Sequence, residues 1–114
     1  MDTERRKNER VPISLEVRYA TQQGFVSDWI MNLSRGGMFV HSDSPLPVGT
    51  VISITLIVPG GQPIEIEGEV KWVVQRSPSA AVIPGMGVKI TNISDESRKI
   101  LEDLVEEAKK QMKH

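Results

Sequence analysis

Between Pro12 and Ala20 the chain alternates: Ile13, Leu15, Val17 and Tyr19 fall on one side, and Ser14, Glu16 and Arg18 on the other. A period of two predicts a half-buried β-strand, because successive side chains of a strand point to opposite faces. A turn around residues 22–24 leads into Phe25–Leu33, a second predicted strand. Ser34-Arg35-Gly36-Gly37 breaks that run, and residues 38–41 form a short third strand. Residues 42–49 are rich in Ser, Pro and Gly and predict a loop. The β-branched segment 50–58 has the composition of a fourth strand. Pro59-Gly60-Gly61-Gln62 predicts a tight hairpin turn, since both glycines can supply positive φ. The clearest alternation follows, with Ile64, Ile66, Val70, Trp72 and Val74 facing one way and Glu65, Glu67, Glu69 and Lys71 the other. Residues 76–85 predict another loop and 86–91 a last strand.

Helical periodicity is confined to the C-terminus. Ser94 can cap the helix, and Asp95 and Glu96 lie in the first turn, where the positive end of the dipole favours anions. Ile100, Leu101, Leu104, Val105, Ala108 and Met112 make one apolar stripe, and Lys109, Lys110 and Lys113 lie near the negative end. The fold class is therefore all-β dominated: a six-stranded antiparallel β-barrel with one C-terminal helix on its wall or over one end. Residues 1–11 carry no hydrophobic period and predict a flexible N-terminal arm. Residues 12–114 form one domain, with strands over about 12–91 and the helix over about 95–112. The helix stripe serves a monomer's core or a homodimer's interface equally well.

Composition narrows the function. At 114 residues there is room for one domain. A formal net charge of -1 argues against broad affinity for nucleic acid or anionic membrane, so any polyanion site must be local. Cysteine is absent, which removes disulfides, thiolate catalysis and cysteine-based zinc sites. The first ten residues are hydrophilic, without the apolar core of a secretory signal. No apolar run approaches the roughly 20 residues of a membrane span. A cytoplasmic protein is the expectation.

Two segments stand out. Arg5-Arg6-Lys7-Asn8-Glu9-Arg10 holds an RxxxR spacing between Arg6 and Arg10, and Asn32-Leu33-Ser34-Arg35-Gly36-Gly37 fits (D/N)xSxxG. In this order they resemble the paired signature of the PilZ family. The segments Gly68–Val73 and Gly85–Ile90 and the closing helix are also similar to that family. The resemblance implies a barrel that binds cyclic di-GMP where the arm meets the barrel wall. It implies Arg6 and Arg10 as the arm arginines, and Asn32, Ser34 and Gly37 as barrel-side partners. Arg5 stands beside the motif as a third cation, and Gly36 belongs to the same turn.

The residue types suit that ligand. An arginine fork pairs bidentately with guanine O6 and N7, stacks on a purine face or clamps a phosphate, none of which lysine does equally well. Asn32 offers a donor and an acceptor to a base edge, and Ser34 a compact hydroxyl. Gly36 and Gly37 permit positive φ and close approach to the backbone. This is recognition chemistry, and no enzyme is expected. His41-Ser42-Asp43 does not make a triad, because neighbouring residues on a strand point apart. The two histidines, one of them terminal, give no spaced metal-ligand set. Trp29 and Trp72 are expected inward, as core residues in preference to base-stacking surfaces, and Met31 and Met38 as gap fillers.

Two other readings compete. One is a PilZ adaptor that works through protein contacts without ligand, signalling to an unidentified downstream protein. The other is a single-stranded nucleic-acid-binding small barrel, which needs exposed aromatics in a basic groove. Aromatic residues are only 4% of the chain and no basic stripe marks the strands, so nucleic acid is not expected as a partner.

Overall fold

The computed structural model describes residues 10–22, 24–78 and 81–112. Six strands run in chain order: β1 Val11–Thr21, β2 Gly24–Leu33, β3 Gly37–His41, β4 Val51–Ile57, β5 Ile64–Val74 and β6 Gly85–Ile93. One helix, α1 Asp95–Met112, follows. The strands pair antiparallel in the order β1-β2-β3-β6-β5-β4, and β4 returns to β1 to close the barrel. Val11, Val17, Ile30, Leu33, Met38, Val40, Leu56, Ile64, Val70 and Met86 have no exposed surface and fill the interior.

The helix covers the barrel end at which β1, β3 and β5 begin. Leu101 and Val105 enter the same core as Val11, Leu33 and Ile64, and Ile100, Leu104 and Ala108 pack partly buried beside them. Fully burying a side chain such as Leu101 stabilises by roughly 1.5–3 kcal/mol. Leu101 and Val105 are thus committed to the chain's own barrel. Ser94 caps the helix as its position suggests, its Oγ accepting the Ser97 N–H at 3.1 Å. Among the described residues, no helix is long and apolar enough to cross a membrane.

Several expectations are corrected. Val11, assigned to the arm because it precedes Pro12, is the first residue of β1 and is fully buried opposite Leu33. Residues 58–63 join β4 to β5, a longer connection than the expected turn over 59–62, and of the two glycines only Gly60 has positive φ, at 74°. Trp29 and Trp72 point outward, 52% and 45% exposed, and Met31 is 38% exposed. The reason is register. A β-bulge between Ile30 and Asn32 puts Trp29 on the opposite face from Leu33, which alternation would place together, and a second between Val70 and Trp72 reverses the alternation beyond Val70. After the second bulge, Val73 packs against the core in the place expected for Trp72 and Val74.

Candidate functional site

The turn between β2 and β3 is built around Ser34. This residue is 3% exposed, and its Oγ accepts the N–H groups of Gly36 and Gly37 at 3.2 and 3.1 Å. The hydroxyl donates in turn to the Gly37 carbonyl at 3.2 Å, which also accepts the Ser34 N–H at 2.9 Å. The Gly36 carbonyl accepts the Ile90 N–H at 2.9 Å, tying the turn to β6. Ser34 therefore satisfies turn amides that no sheet ladder reaches. Removing the hydroxyl would leave the buried Gly37 N–H, and the more exposed Gly36 N–H beside it, without this acceptor. Ser34→Ala is expected to lower the unfolding free energy by about 1–3 kcal/mol, read by urea denaturation.

Glycine at position 37 answers a different demand from the one expected. The positive-φ glycines among the described residues are Gly24, Gly49 and Gly60, so neither Gly36 nor Gly37 supplies a left-handed turn. A Cβ on Gly37 would instead lie 2.6 Å from the Val88 carbonyl oxygen. Gly37 lets β3 press against β6, where it pairs with Lys89.

The first bulge positions Asn32. With unbroken alternation from Ile30, Asn32 would point inward and Leu33 outward. The extra residue, Met31, lets Leu33 return to the core and leaves Asn32 facing out opposite Phe39 and Pro12. There the Arg10 Nη1 donates to Asn32 Oδ1 at 2.8 Å. The foot of the arm and the β2 end thus meet through one charge-assisted bond. Arg5 and Arg6 lie outside the described residues.

Arg10, Ser34, Gly36 and Gly37 border a cleft of about 420 Å³ on the outer wall. That volume lies within the range of small-ligand sites. The other side of the cleft was not foreseen: Lys71 and Trp72 of β5, and Gly87, Val88 and Lys89 of β6. The second bulge turns Lys71 and Trp72 out together. The Trp72 indole stacks on Phe39 with centroids 5.2 Å apart and planes 17° from parallel. Gly87 makes this possible, since a Cβ there would fall 2.1 Å from Trp72 Cε2. The alternate glycines Gly85 and Gly87 were the available signal, because glycine within a strand marks close approach by another group. Three cations surround the cleft, with one acid among them: Lys71 Nζ is 3.4 Å from Glu69, which pairs across the strands with Lys89.

Arg35 turns away from this cluster, its Nη2 reaching Glu106 of α1 at 3.2 Å. A larger groove of about 610 Å³ lies on β1, β2 and β4, lined by Ala20, Phe25 and Ile57 among others, and no motif residue enters it. At the end opposite the helix, Tyr19 donates to Asp28 at 2.6 Å. Burial and that bond raise the phenol above its ordinary range. Nearby, Ser42 Oγ accepts the Ser44 N–H and Arg76 engages Asp43.

A sequence profile described as the PilZ domain matches residues 4–107. No curated protein sequence matches the chain. Among solved structures, the inhibitor of motility MotI (DgrA) of Bacillus subtilis superposes with a TM-score of 0.79 at 19% identity, over 96% of this chain and 53% of that one. The PilZ domain of YcgR from Escherichia coli, solved with c-di-GMP, gives 0.72 at 15% identity, over 95% of this chain and 94% of that one. The MrkH–c-di-GMP complex of K. pneumonia gives 0.74 at 22% identity, over 94% and 55%. The chain thus spans about half the length of MotI and MrkH, and at these identities the likeness is one of fold.

Proposed function

Because this chain belongs to the PilZ domain family, we propose that it is a non-enzymatic receptor for cyclic di-GMP, which binds between the arm and the turn at Ser34–Gly37. The observation that carries the reading is the Arg10–Asn32 bond. It joins the two motifs, 22 residues apart in sequence, at the rim of one cleft. Arg10 supplies a guanidinium for a guanine edge or phosphate, and Asn32 a base-reading amide. Arg5 and Arg6 belong to the same site as further arm cations. In the E. coli and K. pneumonia relatives of like fold, this is the ligand present.

Binding would hold residues 1–10 against the barrel, and this ordering is the output, read in the bacterial cytoplasm by a downstream protein that acts on motility or another cell-surface process. Ordering a segment on binding costs a few kcal/mol of the gross interaction energy, so the arm must return more than that in contacts. Isothermal titration with cyclic di-GMP tests the proposal. Saturable heat is expected, with weaker binding in Asn32→Ala, and hydrogen exchange should show slower amide exchange over residues 3–11 in the liganded chain. A folded chain that gives no heat at millimolar ligand would be the ligand-independent adaptor instead.

A further inference from the structure

We infer that the solvent face of Trp72 is a stacking platform for a purine ring of the ligand. The inference rests on the reading above and adds a recognition element that neither motif contains. Trp72 does not belong to the core. It lies outside the barrel wall, 45% exposed, while Val73 packs against the core behind it. A large apolar side chain held in water at one fixed orientation calls for a partner on its open face.

That orientation is fixed from behind. Phe39, 8% exposed, lies nearly parallel to the indole at 5.2 Å. Phe39 is itself seated over Gly85, where a Cβ would meet its ring at 2.6 Å, and Trp72 is seated over Gly87. Two glycines at alternate positions of β6 thus back a two-ring slab whose outer surface forms part of the cleft. Offset stacking of this kind rigidifies the outer ring without covering its far side.

The surroundings select the occupant. Base–aromatic stacking tolerates any base and works together with cations that hold the phosphates. Arg10, Lys71 and Lys89 border the same cleft. Aromatic face and cations together fit a nucleotide, with the base on Trp72 and the phosphates toward the cations. Trp29 serves as an internal contrast: it is slightly more exposed but lies between Glu16 and His41, away from the cleft.

The chain has two tryptophans, so each can be observed alone. In Trp29→Phe, titration with cyclic di-GMP is expected to quench indole emission, saturating at the concentration that saturates the calorimetric heat. In Trp72→Phe, where Trp29 alone reports, emission should stay constant while affinity falls by no more than about threefold, since a phenyl ring still stacks. Trp72→Leu should bind at least about tenfold more weakly, as the aromatic face is gone. Thermal melting of Trp72→Phe and Trp72→Leu separates a lost platform from a loosened wall. Unmoved emission in Trp29→Phe, with Trp72→Leu binding as the parent does, overturns the inference while the receptor reading stands. A parent that gives no heat with cyclic di-GMP ends both.

Discussion

Replacing Arg10 by alanine is expected to weaken cyclic di-GMP binding by roughly ten- to a hundredfold, because hydrogen bonds from a charged donor contribute about 1.5–3 kcal/mol each. The side chain is exposed and its described partner is Asn32. Its removal therefore opens no core cavity, and surface changes of this kind usually stay within about 0.5 kcal/mol of the parent. Calorimetry and thermal melting on the same sample separate the two quantities. Arg10→Lys sharpens the test. It retains the charge but loses the planar fork, so a lysine that restores little affinity would identify the guanidinium geometry as the essential property. Equal affinity in Arg10→Ala and the parent would remove Arg10 from the site.

Gly37→Ala is expected to damage folding and binding together. The added Cβ would lie 2.6 Å from the Val88 carbonyl oxygen and 3.6 Å from Lys89 Cα. Both neighbours are backbone, so β3 and β6 must part for the methyl group to fit. Overpacking of this kind costs about 1–3 kcal/mol, which for a domain near this size lowers the melting temperature by roughly 4 °C or more per kcal/mol. Val88 and Lys89 also line the cleft, so ligand affinity should fall even at temperatures where the protein remains folded. A variant that melts and binds like the parent would mean that the two strands separate there at little cost.

The barrel was legible because its strands alternate strongly and its helix carries both a cap and a stripe. The arm and turn motifs led to Arg10, Asn32, Ser34 and Gly37, four residues that the fold gathers at one rim. Trp72 was hidden for a physical reason. Each bulge inserts a residue without any mark in the local composition, and one inserted residue reverses every face beyond it. Read as an unbroken strand, β5 sends Trp72 inward, where tryptophan is at home. Only pairing with β6, which places Gly87 opposite Trp72, turns it out. Phe39 escaped notice likewise, since nothing near it in sequence announces a partner 33 residues later. Ser34 was found by its motif, but the bonds that give it a structural task involve its own turn's amides, which residue type alone does not specify.

Closure of the barrel bears on how such a signal can be transmitted. Every described strand has neighbours on both sides, so the sheet offers no free edge to which a second protein could add a strand of its own. Any receiver must read side chains and shape. Recognition of that kind tolerates sequence change in the wall as long as the displayed groups persist, and it lets one rigid scaffold address unrelated listeners.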